Sequence, residues 1–312
     1  EYGRITKGFC KAYLAELYML KKDFTKAKTE LKDIVDSGTY SLEPCFGNLH
    51  AWDTHWNKES VFEVMYHEQG YMGWGADSSS DAMMWYGYMC AAPEWGGWGS
   101  LCLSWEFVRS FEPGDKRRQY SAVAKGDTLK YWRCKPGENN KVFNPISLTL
   151  KRYAGIMLDY AECCFETGDN ATGWNMIRQI RNRAWGNLEM GATMIDLPAD
   201  MLNTQTVEVP DAETYYTSYK AAKGYTSPVW KVALIIERRH EFNAEFSLYH
   251  DLCRMGMCKE WFAAEYPKTA ANSSQEACLQ TGDSFRFFEH EAYQEIFPIP
   301  TNEILTNPLI NQ

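Results

Sequence analysis

Two stretches of this chain, 146 positions apart, spell out the same pair of elements, and that repetition narrows the fold more than any other feature. In residues 5–38, Cys10, Tyr13, Leu14, Leu17 and Tyr18 fall at i, i+3, i+4, i+7 and i+8, the spacing of one helical stripe. "LKKD" interrupts the pattern. Asp23 is placed to cap a second helix, whose stripe is Ala27, Leu31, Ile34 and Val35, and Gly38 to end it in the left-handed conformation. In residues 150–185 the first stripe is Tyr153, Ile156, Met157, Tyr160, Ala161 and Cys164. "ETGD" is the turn, and Trp174, Ile177, Ile180 and Ala184 form the second stripe. Each hairpin sets one Ala at a helix contact (Ala15, Ala161) and one Asp at its turn (Asp23, Asp169). Neither can bury its stripe alone, so the two are expected to pack together despite their separation.

This spacing resembles the tetratricopeptide repeat, in which small residues let paired helices approach closely. The fold class expected is mainly α: tetratricopeptide-like hairpins with a large loop-rich insertion, residues 41–149, containing a few short strands. Within the insertion "SVFEVMYH" alternates Val61, Glu63 and Met65 with Phe62, Val64 and Tyr66, a strand pattern. "SWEFVRSFEPGDKRR" predicts a short helix ended by a Pro-Gly turn. Residues 186–228 have weak periodicity and room for one short helix. A single long helix is expected near 229–257, and a proline-punctuated, extended C-terminus after it. The whole chain, 1–312, reads as one domain.

The insertion holds the most unusual composition. Residues 71–105 carry five Trp, three Tyr and six Gly, with Asp77, Asp81 and Glu94 as the only charges. Glycines beside tryptophans, as in "MGWGA" and "GGWGS", favour exposed backbone turns over helix packing. The alternative is that the rings pack on one another under a long loop, since a Trp buries about 150–250 Å² and can hold irregular backbone. Trp105, followed by a helical pattern, is read as core. A formal charge of −9 argues against a nucleic-acid partner, which needs a basic surface.

Other groups are assigned structural roles. The ten Cys lack disulfide-framework or zinc spacing and read as small buried hydrophobes, and the adjacent Cys163 and Cys164 are expected to stay reduced. His50 and His55 are five apart, which is wrong for two ligands on one helical face, so no metal is expected. In "ERRHE", Glu237 and Glu241, with Glu245 beyond, share one helical face beside Arg238 and Arg239 and are read as an ion-pair network rather than acid/base machinery. The longest aliphatic run, "VALII", is far short of the roughly 20 residues of a membrane-spanning helix. The opening "EYGRITKGFC" has neither Met nor a signal-peptide pattern, and the chain is expected to be a piece of a longer one.

Four segments together are similar to the SusD/RagB family of outer-surface nutrient-binding lipoproteins of Bacteroidetes. They are Gly3–Leu42, residues 152–184 ("RYAGIMLDYAECCFETGD" followed by "IRQIRNRA"), "ERRHEFNAEFSLYHDLCRMG" and "FPIPTNEILTNP". In the third, Glu237, Arg238, Arg239, Glu241, Glu245, Asp251, Leu252, Arg254 and Gly256 match the family pattern, while Phe246 and Leu248 depart from it. The segments occur in the family's order and correspond to its C-terminal portion. The resemblance implies a non-catalytic protein without cofactor that captures an oligosaccharide, or in some members a peptide. It further implies a TonB-dependent, SusC-like outer-membrane transporter as partner, and a lipid anchor in an N-terminal segment outside this chain. It also implies that rings of the insertion contact ligand, with Trp74, Trp98, Trp85, Tyr86, Tyr88, Tyr71 and Trp95 as the candidates. A helical-repeat adaptor with no small ligand is the third reading.

Overall fold

The computed structural model describes residues 3–49, 56–64, 107, 110–118, 123–125, 128–130, 147–186, 207–243, 245, 247–267 and 299–307. The first hairpin is α1 (Lys7–Leu20) and α2 (Phe24–Asp36), and the second is α3 (Tyr153–Glu166) and α4 (Asn170–Ala184). Aspartate caps the second helix of each hairpin, Asp23 as expected and Asp169 as well. The Asp23 carboxylate accepts from Lys26 N at 3.2 Å, and Asp169 accepts from Thr172 N at 3.3 Å. Thr6 caps α1 through Phe9 N, and Gly38 follows α2 at φ 61°.

The two hairpins pack side by side, α2 against α3, in one apolar core. Ala27, Leu31 and Ile34 of α2 meet a helix that is buried from Ala154 to Phe165. Close approach inside the second hairpin depends on Gly173: a Cβ there would stand 2.7 Å from the Phe165 ring. Lys28 Nζ reaches across to Asp169 at 2.9 Å, joining the first hairpin to the cap of the second.

The stripe assigned to α1 is corrected by the structure. Its buried residues are Ala12, Ala15 and Met19, whereas Cys10 is exposed and Leu17 is 56% exposed. Helix–helix contact at short range selects small side chains, so the alanines face inward and the larger apolar residues are turned out.

Two short antiparallel ladders belong to the insertion. β1 (Ser60–Val64) pairs with β4 (Leu148–Arg152), Val64 opposite Leu148 and Ser60 opposite Arg152, with register shifts around Phe62. The expected alternation holds over the described part, with Val61 and Glu63 buried. β2 (Val123–Lys125) and β3 (Thr128–Lys130) form a hairpin. β1 and β4 thus clamp the two ends of the insertion, and β4 runs directly into α3.

Beyond the second hairpin come α5 (Ala212–Lys223), α6 (Val229–Glu241), α7 (Leu248–Met255), α8 (Cys258–Glu265) and α9 (Thr301–Thr306). The single helix expected over 229–257 is two helices. Arg152 donates to the Glu241 carbonyl and its guanidinium lies 4.3 Å from the Phe242 ring, so that carbonyl is taken by a side chain instead of a further helical turn. The C-terminal segment is likewise not wholly extended. α9 begins after Pro300, whose carbonyl accepts from Ile304 N, a helix start that proline favours. No helix among the described residues is long and apolar enough to cross a membrane.

Candidate functional site

The seven candidate ligand residues, Tyr71, Trp74, Trp85, Tyr86, Tyr88, Trp95 and Trp98, lie outside the described residues, as do Trp105, His50 and His55. The structure shows what holds the two ends of that stretch. On the entry side, Glu63 of β1 turns inward and accepts from Trp56 N at 3.2 Å and from Ser60 Oγ. On the exit side, the Phe107 and Phe111 rings meet edge-on at 5.0 Å. Phe111 stacks on His240 at 4.2 Å, and Ser110 Oγ lies 2.8 Å from His240 Nε2. Burial, with Arg117, Arg239 and Arg181 nearby, holds the His240 pKa well below the usual histidine value. His240 is therefore a neutral packing and hydrogen-bonding residue rather than a proton carrier.

Beneath both ends runs a buried layer of carboxylates and guanidiniums. Arg152 Nη1 donates to Glu59 at 2.7 Å and to Glu241 at 2.6 Å. Arg183 bonds the same two carboxylates. Arg117 joins Asp115 at 2.7 Å and Glu237 at 2.8 Å and reaches Glu241 at 3.1 Å. Arg181 lies between Glu112 at 2.7 Å and Glu237 at 2.9 Å, and Tyr216 donates its hydroxyl to Glu237 at 2.6 Å. Burial alone would raise the pKa of Glu237 and Glu241, but the surrounding guanidiniums outweigh it and lower both.

The layer ties the insertion to the helices and the helices to one another. Glu59, Glu112, Asp115 and Arg117 come from the insertion, Arg152 from the end of β4, Arg181 and Arg183 from α4, and Glu237 and Glu241 from α6. The network reading of "ERRHE" is therefore right. Each of those glutamates is clamped by arginine, which suits a rigid base and not general acid/base work. Among the described residues no group of three or more His, Cys, Asp or Glu side chains is arranged to hold a metal ion.

A concavity of about 580 Å³ was not legible in the sequence. It opens between α1, β4, α3 and the α6–α7 corner, with Tyr13, Leu20, Leu150 and Phe242 as apolar walls. Its floor is ionic: Lys151 bonds Asp159 at 2.8 Å, and Arg238 bonds the same carboxylate at 2.6 Å. Burial opposes the Lys151 charge, but Asp159 and Glu16 more than offset it and raise the pKa.

Residues 128–312 match the SusD family model. No curated protein matches the chain. Among solved structures, the chain is similar to surface glycan-binding protein A from Bacteroides uniformis, with TM-score 0.61 and 21% identity over 99% of this chain and 61% of that one. It is also similar to surface glycan-binding protein A from Bacteroides thetaiotaomicron, with TM-score 0.65 and 20% identity over 97% of this chain and 62% of that one. A further structure of surface glycan-binding protein A from that organism, in complex with laminarihexaose, aligns with TM-score 0.63 and 18% identity over 97% of this chain and 62% of that one. The chain thus spans about three fifths of the length of these solved relatives.

Proposed function

The chain belongs to the SusD family, and from that premise we propose that it is part of a non-catalytic protein that captures an extracellular oligosaccharide through the aromatic stretch 71–105. The observation that carries this reading is the pairing of that stretch with its base. Eight large rings and no Lys or Arg are gathered in 35 residues, and the segments on either side are pinned by β1, by Phe107 and by the buried arginine layer.

Sugars present apolar C–H faces ringed by hydroxyls. A flat ring held in place removes that face from water at about 25 cal/mol per Å² and loses little entropy in doing so. A neutral oligosaccharide asks for such rings and not for a charged clamp. Trp74 and Trp98, flanked by glycines, and Trp85, Tyr86 and Tyr88 are the stacking residues, with Tyr71 and Trp95 beside them. Surface glycan-binding relatives, one solved with laminarihexaose, support the ligand class. In the whole protein, ligand passes to a TonB-dependent, SusC-like outer-membrane transporter. The protein is held at the outer surface by a lipid anchor outside this chain.

Calorimetric titration of the full-length protein with neutral oligosaccharides and with peptides of similar length tests this. Oligosaccharide should bind with a dissociation constant roughly in the micromolar to millimolar range and little salt dependence. The sugar should be recovered uncleaved. Saturable peptide binding with no oligosaccharide binding would overturn the ligand class, and cleavage would overturn the non-catalytic role.

A further inference from the structure

Two of the cysteines read as isolated hydrophobes are neighbours in space. Cys253 Sγ, near the end of α7, and Cys258 Sγ, the first residue of α8, lie 3.5 Å apart. The turn between them is fixed by its backbone. Gly256 adopts φ 68°, its N–H donates to the Cys253 carbonyl at 3.1 Å, and Met257 N donates to the Leu252 carbonyl at 2.9 Å. These are the two bonds of a Schellman cap, which places a residue of the last helical turn beside the start of the next element. Lys22, from the turn between α1 and α2, and Lys231 of α6 donate to the Arg254 and Met255 carbonyls, which steadies the turn further.

We propose that Cys253 and Cys258 form an intramolecular disulfide that staples the α7–α8 corner. The sulfurs need to close by about 1.5 Å to reach bonding distance, a shift that side-chain rotation supplies when the backbone is already turned back. Accessibility orders the steps. Cys253 is half-buried and Cys258 is buried, so Cys253 meets an external oxidant first. Its thiolate attacks one sulfur of a disulfide R–S–S–R, giving a mixed disulfide and one RS⁻. The Cys258 thiolate then attacks the Cys253 sulfur and expels the second RS⁻. The two protons lost by the protein end on the released thiols. Two protein thiols are oxidised and one external disulfide is reduced.

The corner is worth stapling because the charged groups around it depend on its position. Asp251 and Arg254 flank Cys253 on α7 and bond Arg238 and Glu162, and Met257 and Trp261 enter the apolar core. The pair also differs in kind from Cys163 and Cys164, which are adjacent on α3, buried and unable to reach each other in disulfide geometry.

The test is peptide mapping of the intact protein after incubation with oxidised glutathione, alkylation and tryptic digestion without reductant. Trypsin cuts after Arg254, between the two cysteines. Peptides 240–254 and 255–259 should then appear as one linked species, 2 Da lighter than the sum of the two free peptides, and separate on reduction. The oxidised protein should melt a few degrees above the reduced one. Cys253→Ser should abolish both the linked species and that shift. Alkylation of both cysteines after oxidation, or linkage of either to a different cysteine, would overturn the proposal. A linked species with an unchanged melting temperature would overturn its role as a staple. The mapping uses the natural sequence, so it stands even if the variant fails to fold.

Discussion

The two hairpins share one local code and have different fates. In each, an Asp side chain caps the second helix and an Ala sits at the helix contact, yet α1 buries three residues whereas α3 buries twelve in succession. The difference lies in position. α3 is covered by α2, α4 and α6, while the outer face of α1 leaves Leu17 and Leu20 more than half exposed. The first hairpin is bonded by surface pairs such as Lys11–Glu30 and Lys32–Asp36, whereas the second carries Arg181 and Arg183 into the buried layer, with Arg152 entering it just before α3. Local sequence fixes that a hairpin forms; the number of neighbours fixes how much depends on it.

The sharpest break between the two hairpins should come from charge. Arg183→Met leaves Glu59 and Glu241 without one of their guanidiniums and is expected to cost about 3–5 kcal/mol, whereas Lys11→Met should cost at most about 1. Urea denaturation of both variants measures this, and equal losses would mean the layer is not what holds the second hairpin. The same layer sets the acid response. Glu237 and Glu241 have pKa values lowered on folding, so their contribution is complete above the unfolded value near 4.3 and is lost as pH falls through the folded values. Below about pH 4, hydrogen exchange should rise first in α4 and α6. Loss of α1 before them would contradict the assignment.

Apolar truncation should separate the hairpins by a similar margin. Ile156→Ala, at a fully buried position of α3, is expected to cost about 2–5 kcal/mol, and Leu17→Ala, on the exposed face of α1, no more than about 0.5. A large loss at Leu17 would show that its face is covered in solution.

How much of this was legible follows from the range of each determinant. The cap at Asp23, the turn position of Asp169 and the stripes of α2 and α4 were readable because their partners lie within a few residues. The shared face of Glu237 and Glu241 was readable because helical spacing alone puts them together. The inward face of α1 was legible only at Ala15, since hydrophobicity ranks Leu14 and Leu17 above Ala12 while close packing ranks them the other way. The break after Glu241 was invisible because its cause, Arg152, lies 89 positions away. The concavity beside α1 escaped for the same reason, its walls coming from four separate elements. Of the aromatic stretch, sequence supplied the candidates, and the structure supplied the anchors at its ends.

The smallest expected effect is at the turns. Gly168 and Lys22 occupy equivalent positions, at φ 82° and φ 60°, immediately before the two capping aspartates. A side chain in this left-handed conformation costs about 1 kcal/mol. Lys22→Gly should therefore stabilise the protein by up to about 1 kcal/mol, less the loss of its bond to the Arg254 carbonyl, and Gly168→Ala should destabilise it by about as much. Opposite signs in thermal melts support the equivalence of the turns, and equal signs would break it.

The central claim is that a rigid helical base presents a ring-lined surface to a sugar. Trp98→Ala in the full-length protein tests it most directly, with oligosaccharide affinity and melting temperature measured on the same sample. A ligand-facing ring predicts weaker binding, by about tenfold or more for the loss of one stacked contact, with the melting temperature shifted by only a degree or two. Unfolding or a large drop in melting temperature with residual affinity intact would make Trp98 a core residue and contradict the account.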